Sequence, residues 1–465
     1  MLRTVVKGAV LRALNAYDKR NRAPSSQPPG LWGLEVDGSG RLIWDGCRLD
    51  DLAREFGTPL HVVSQRQLER SYREFREAFA SRYPQVDVGF SYKTNPLPGA
   101  IRALHALGAG AEVISHFELW LALQLGVPPE RIILNGPAKT PTALDLAVRR
   151  GIKLINIDGP AEIEQIDARA AHWGRRQAVG VRIVTSVGWS SQFGFRIDDG
   201  AAMETFRRVN GCRHLEPCAL HLHLGTGIRD TGIYFQAIRE ALGLAARVRA
   251  ELGLAIRYLD LGGGFGVPTV RPLSELDVKF LANGFPVKPP GVADAPRISD
   301  YAAGIVSLLE QHGAWSADER PEIILEPGRA LTSGAQCLLL GVLSLKPGDR
   351  NGRFAIVDGG KNVTMPLGYE YHELLVANRV NGAATSRYTV FGPLCHPGDI
   401  VVQNRDLPRL EVGDVLAVMD AGAYFIPNQM NFSNPRPAAV MIANGKAEVI
   451  RGRESFEDVV RLDGV

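Results

Sequence analysis

Eight short β-rich runs separated by helical stretches fill residues 84–329, and they restrict the fold more than any other feature of the chain. They fall at residues 86–91, 109–114, 131–134, 153–157, 178–184, 219–224, 257–261 and 322–325. A helix between two strands carries the chain back to where the next strand starts, so the strands run parallel. Eight such units over about 250 residues predict an α/β architecture, a closed (β/α)8 barrel of TIM type. The chain has 465 residues, enough for a second domain. Beyond residue 330 the pattern changes. Runs at 341–345, 353–357, 387–390, 399–402, 414–419 and 438–442 follow without long helices, which predicts a C-terminal all-β domain. Asn444-Gly445 between apolar runs signals a type I′ hairpin. Residues 41–44 and 59–63, ahead of the barrel, are expected to pair with this second half. The expected division is an N-terminal extension and linker at 1–29, a barrel at 60–330, and a β-domain built from 30–59 and 331–465.

One helix precedes the first barrel strand. Ser64 and Gln67 have the spacing of a capping box, and Leu68, Tyr72, Phe75 and Phe79 form one apolar stripe expected to pack into the core. Residues 267–300, rich in Pro and Gly, are long for a βα connection and predict an insertion over the barrel mouth. Residues 1–22 are basic, with apolar stretches too interrupted for a secretory signal. A surface helix or arm is expected there, with residues 23–30 as a linker. A net charge of +3 gives no ground for nucleic acid or an anionic membrane as the main partner, and no run of 18 apolar residues occurs. The five cysteines, Cys47, Cys212, Cys218, Cys337 and Cys395, are scattered and form no CxxC pair. That argues against a disulfide framework or structural zinc and for a reducing, cytoplasmic setting.

A barrel of this kind carries its chemistry at the C-terminal ends of its strands, and the unusual residues collect there. The first run leads into Tyr92-Lys93-Thr94-Asn95, the second into Glu112 and Ser115, the third into Asn135-Gly136 and the fourth into Asp158. Arg182 stands near the end of the fifth. The sixth carries His221 and His223, then Gly225-Thr226-Gly227. The seventh ends in Gly262-Gly263-Gly264 and the eighth in Glu326-Pro327-Gly328-Arg329.

Each feature has a plain reading beside a chemical one. The Gly262-Gly263-Gly264 triplet lets backbone N–H groups approach an anion, although a tight strand-to-helix turn would need glycines too. Val267 stands where G-x-G-x-x-G requires glycine, so no dinucleotide fingerprint is present. Lys93 alone fits a solvated lysine. Inside an apolar barrel that holds a phosphate, desolvation and nearby cations would lower its pKa and free its amine to attack an aldehyde. Glu326 alone fits a surface acid. His221 and His223 face one side of a strand, as a zinc-binding pair in a metal-dependent barrel hydrolase would. Of the other histidines between 84 and 330, only His116 falls near a strand end. His221 also fits a satisfied core histidine, and His223 is the better placed to lie against a planar ring.

Six markers in order carry a resemblance: Tyr92-Lys93-Thr94-Asn95, His223-Leu224-Gly225-Thr226, Gly262-Gly263-Gly264-Phe265, Glu326-Pro327-Gly328-Arg329, Gly392-Pro393-Leu394-Cys395 with Asp399, and Gly422-Ala423-Tyr424. With them the sequence resembles the fold-type III decarboxylases that use pyridoxal phosphate, the diaminopimelate, ornithine and arginine decarboxylase family. The resemblance implies an alanine-racemase-like barrel with a β-domain. It also implies α-decarboxylation of an amino acid and a head-to-tail homodimer with shared active sites. Lys93 would carry the cofactor covalently, His223 would stack on its ring and Glu326 would pair with the ring nitrogen. Thr226, Gly262, Gly263, Gly264, Gly328, Arg329 and Tyr424 would surround the phosphate. Cys395 would come from the other subunit and return a proton to the substrate carbon. A cysteine suits that task because its ordinary pKa is about 8.5. Arg329, Tyr369, His396 and Tyr424 would meet the substrate.

Some residues depart from the family pattern. His396 follows the cysteine where diaminopimelate enzymes place Glu and ornithine enzymes Asp. Met365 stands where an arginine of the diaminopimelate enzymes grips a carboxylate. Gln192 precedes Phe193-Gly194 where Lys is common, and Glu112 replaces Asp. Lost charge-assisted hydrogen bonds of about 1.5–3 kcal/mol each would weaken a site for a doubly zwitterionic substrate. The expectation is therefore a decarboxylase with an altered distal pocket, in a specialised pathway and acting on a free or carrier-tethered amino acid. A true diaminopimelate decarboxylase is the alternative. Alanine racemase shares the architecture but places Arg at the ring nitrogen, against Glu326. A regulator that has lost the cofactor would lack Lys93 or Cys395, and both are present.

Overall fold

The computed structural model describes residues 26–464 except 294, 313–314, 316–318 and 349–351. The basic segment at 1–22 lies outside the described residues. All eight expected barrel strands form: β1 Val86–Ser91, β2 Gly110–Val113, β3 Ile132–Leu134, β4 Leu154–Ile157, β5 Gln177–Val184, β6 Leu215–His221, β7 Tyr258–Asp260 and β8 Glu322–Leu325. Each pairs in parallel with the next, and β8 closes on β1 with Ile323 opposite Val86 and Leu325 opposite Val88. Strands such as β2 and β4 are buried along their whole length, which is why they read as unbroken apolar runs rather than alternating ones.

Helix Gln65–Ala80 begins at Ser64, whose hydroxyl accepts the Gln67 N–H at 3.0 Å. Its buried stripe is Leu68, Tyr72, Phe75 and Phe79. Phe75 meets Phe265 edge-on with ring centroids 5.1 Å apart, and Tyr234 stacks on Phe265 at 5.1 Å. Phe265 directly follows the glycine triplet. Burying such a ring contributes about 2–3 kcal/mol, so the apolar wedge ties the loop after β7 to the core. The glycines have a packing reason of their own. A Cβ at Gly263 would sit 2.3 Å from the Glu326 carbonyl oxygen, and one at Gly264 would sit 2.2 Å from that of Gly225. The loops after β6, β7 and β8 touch backbone to backbone, which no other residue permits.

The C-terminal strands form a mixed sheet around Gln336–Pro347. Leu60–Ser64 lies inside this sheet, antiparallel to Gln336–Pro347 and parallel to Ala438–Ala443. Residues 60–64 thus belong structurally with the C-terminal strands, not with the barrel that follows them. Residues 42–44 behave differently from expectation. Leu42–Trp44 pairs with Glu35–Val36 and Cys47–Arg48 in a small sheet of its own, because the Cys47–Arg48 partner is only a turn away. Its Leu42 N–H donates to the Ala377 carbonyl at 2.8 Å, and Leu42 and Trp44 share one buried apolar cluster with Leu60 and Leu339 of the β-domain. The Asn444-Gly445 turn has φ values of 50° and 75°, as a type I′ hairpin requires.

The insertion at 267–300 touches the loop after β6, where the Gly291 carbonyl accepts from Arg229 Nη2 at 2.8 Å. Arg271–Pro272 pairs with Glu370–Tyr371, and Asn404 Nδ2 donates to the Leu281 carbonyl at 2.7 Å. Its polar backbone groups find partners on the β-domain, so it clamps the two halves together. Among the described residues no helix is long and apolar enough to cross a membrane.

Helix His116–Gln124, after β2, holds a titratable group. Burial, with Glu112 adding to it, outweighs the Ile114 N–H bond and raises the Glu118 pKa from 4.5 to about 7. An acid whose folded-state pKa is raised adds stability that is fully present below pH 4.5 and lost as pH rises through 7. Wild type is expected to lose up to about 3 kcal/mol between pH 4.5 and 8 from this group. In Glu118→Gln that loss should vanish. Urea melts of both chains at the two pH values measure it.

Candidate active site

The polar strand ends enclose a cavity of about 340 Å³, a size that suits a small ligand. Lys93, Glu112, Arg182, His223, Glu326 and Arg329 line it, with Trp189, Phe193, Tyr369, Glu370 and Tyr424. Lys93 follows β1 in a short 3₁₀ turn, which places its side chain at the barrel mouth. Its Nζ lies 3.1 Å from Glu112 Oε2. Burial opposes its charge, but Glu112, Glu326 and Tyr424 prevail and push its pKa up to about 12. Carboxylates, and not the cations expected from the sequence, stand beside this amine. Lys93 is therefore an ammonium, and it must lose a proton before it can act as a nucleophile.

Glu326 directly follows β8, the strand paired with β1. Burial alone would raise its pKa, but His221, Lys93 and a bond from Asp260 outweigh that and lower it. Asn135 Nδ2 donates to Glu326 Oε1 at 2.6 Å and to Glu112 Oε1 at 3.0 Å. Burial and the Lys93 charge bring the His223 pKa down to about 3, so its imidazole is neutral. Arg329 is held by Glu370 through two bonds, at 2.6 and 3.1 Å. Its Nε is buried without a hydrogen-bond partner among the described residues. Tyr424 sits 5.4 Å below the Arg329 guanidinium, with a left-handed φ of 67°. That strained backbone is fixed by Tyr424 N–H donating to the Thr94 carbonyl at 2.9 Å. A lysine, a carboxylate, a planar neutral ring and an unsatisfied guanidinium donor around one cavity form a donor set that fits a phosphorylated pyridine aldehyde.

Not every expected residue reaches the cavity. Lys93, His223, Thr226, Glu326, Arg329, Tyr369 and Tyr424 line it. Gly262, Gly263, Gly264 and Gly328 stand behind the wall; a Cβ at Gly328 would lie 2.0 Å from Thr94 Oγ1. Cys395 is exposed, and neither it nor His396 lines the cavity of its own chain. Their loop joins Ser386–Phe391 to Ile400–Leu407. Buried Asp399 shapes it by accepting N–H bonds from Lys361 at 2.6 Å and Leu394 at 2.8 Å. Residue-level reading missed Trp189, Phe193 and Glu370. Trp189 and Phe193 lie in a loop and Glu370 in a strand of two residues, too short for any periodicity to mark it. Trp189 and Phe193 stack with centroids 6.2 Å apart, and Arg182 lies 4.1 Å over the Phe193 ring.

Comparison with known proteins agrees with this donor set. Residues 65–333 match the model of the pyridoxal-dependent decarboxylase, pyridoxal binding domain. The chain belongs to the pyridoxal-dependent decarboxylases. The diaminopimelate decarboxylase of Methanothermobacter thermautotrophicus is 32% identical over 93% of this chain and 97% of its own length. That of Aquifex aeolicus is 30% identical over 90% of this chain and 95% of its own. The crystal structure of the diaminopimelate decarboxylase of M. jannaschii in co-complex with L-lysine superposes with a TM-score of 0.83 and 28% identity, over 93% of this chain and 98% of that one. As a pyridoxal-dependent decarboxylase, this chain is a carboxy-lyase with a barrel and a β-domain, and its cofactor is pyridoxal phosphate.

Proposed function

We propose that this decarboxylase removes an α-carboxylate from meso-diaminopimelate, releasing carbon dioxide and lysine. The observation that carries the reaction class is the convergence of Lys93, His223, Glu326 and Arg329 on one cavity. The substrate is supported by the relatives, which bear the name diaminopimelate decarboxylase across nearly the whole chain. They favour this reading over a specialised pathway. When bound, pyridoxal phosphate supplies the electron sink that a departing carboxylate requires. Lys93 would hold the cofactor through Nζ, with Glu112 taking its charge in the resting protein. His223 would lie against the ring as a neutral plane. Glu326 would present an anion to the ring nitrogen. Arg329 Nε and Thr226 would meet the phosphate or a substrate carboxylate, and Tyr369 and Tyr424 would close the wall.

A specific observation keeps a second reading in view. Met365 and Tyr369 are exposed, and the positions expected to grip a distal carboxylate hold Met365 and His396. A different distal group, free or carrier-tethered, would suit those residues. Mass spectrometry of products from meso-diaminopimelate, ornithine, lysine, arginine and carrier-loaded amino acids separates the two. Lysine formed from meso-diaminopimelate at the highest kcat/KM supports the first reading. Turnover of another amino acid with no lysine formed overturns it.

We further propose that Cys395 serves the site of a second copy, since it is exposed on its own chain. Cys395→Ala should then be inactive alone, as should Lys93→Ala. Mixing the two chains should restore up to about a quarter of wild-type activity, from the one intact site in each mixed dimer. No recovery after mixing would place Cys395 outside the site.

A further inference from the structure

Beneath the cavity, the barrel interior holds polar side chains to which the reaction assigns no task. Asn156 Nδ2 donates to Asn135 Oδ1 and to Asp260 Oδ2, both at 2.8 Å. The Gly262 N–H donates to Asp260 Oδ1 at 3.1 Å. Asn156 has space to do this because residue 180 is glycine; a Cβ there would lie 2.1 Å from Asn156 Oδ1. His221, Asp260 and Glu326 bring one polar atom each within 4.8 Å of one another. Asp260 and Glu326 are both buried, at 0% and 2% exposure.

Two carboxylates buried this close together disfavour a second negative charge, which favours one proton held between them. The surroundings decide which acid holds it. The charged and titratable groups facing the pair are Lys93 from the end of β1, Glu112 from β2, Arg182 from β5, and His221 and His223 at the end of β6. Lys93 and His221 bear on Glu326, together with the Asn135 N–H. Asp260 receives only uncharged donors. The cation thus favours ionised Glu326 and leaves the proton on Asp260.

We propose that Asp260 is a positioning residue that keeps the shared proton, and that its hydrogen bond holds the Glu326 carboxylate ionised and aimed at the cavity. The functional part rests on the reading that Glu326 faces the cofactor ring; the location of the proton does not. Asp260 then acts as a neutral donor, so its amide analogue should nearly replace it while an apolar isostere should not.

Infrared difference spectra of the full-length holoenzyme at pH 8, wild type minus Asp260→Asn, test the proton's location. A protonated-carboxyl band lost in the variant is expected; its absence overturns the proposal whatever the role of Glu326. Cofactor affinity and absorbance test the consequence. Asp260→Asn should bind pyridoxal phosphate within about fivefold of wild type, the cost of one neutral hydrogen bond. Asp260→Leu should bind it at least about thirtyfold more weakly, with a shifted absorption band, since a bond to a charged group is lost. Equal damage from Asn and Leu, or none from Leu, overturns the proposal. If Asp260→Leu does not fold, the infrared result on Asp260→Asn decides alone.

Discussion

A Lys93→Ala chain is expected to lose the visible absorbance of its cofactor and at least about a thousandfold in kcat, roughly 4 kcal/mol of transition-state stabilisation. The same change has a second, separable effect. Glu112 is fully buried and depends on Lys93 for its counter-charge. Removing one partner of a buried pair leaves the other charge uncompensated. Lys93 is partly exposed, so the cost should be about 2–4 kcal/mol of folding stability. The double variant Lys93→Ala with Glu112→Gln should regain most of that stability and none of the activity. Absorbance spectra, steady-state kinetics and urea melts of the three chains test both halves. Retention of the absorption band by Lys93→Ala would refute the cofactor assignment.

The second large effect is expected at Glu326. Glu326→Gln keeps the shape and can still accept the Asn135 N–H, but it presents no anion to the cavity. With only the charge removed, kcat should fall by about 100- to 1000-fold, with KM changed far less. Stability should fall as well, because the lowered Glu326 pKa means that the fold favours its ionised form, which the variant lacks. A kcat within about threefold of wild type would mean that the carboxylate does not act on the reacting system.

Much of the fold was legible because the barrel strands are written as apolar runs, each closed by polar or glycine residues. Glu326, His223 and Lys93 could be found because each stands where a strand ends. What could not be read was who faces whom across the closed barrel. Nothing near residue 93 announces that its neighbours are Glu112 and Glu326, so the expected lowering of the Lys93 pKa had the wrong sign. Asp260 left one signal, an acid inside the apolar run Tyr258-Leu259-Asp260-Leu261. It gained meaning only once β4, β7 and β8 had brought Asn156 and Glu326 beside it. The Leu42–Trp44 strand was assigned to the wrong sheet because its hairpin partner, Cys47–Arg48, is only two residues long. Trp189 and Phe193 reach the cavity through loop conformation and Glu370 through pairing with the distant Pro272, neither of which local sequence specifies.

The strand Leu60–Ser64 bears on how this protein is made. It is buried along its length, and the two strands that flank it begin at Gln336 and Ala438. During synthesis at about 5–20 residues per second, Val62 emerges roughly 20–75 s before its partner Val440 exists. The barrel can close in that interval, but an apolar strand with two open edges stays outside it. A ribosome that stalls or a chain cut before residue 438 would therefore yield a closed barrel that carries an adhesive strand at its N-terminal end. Such fragments should collect in the insoluble fraction.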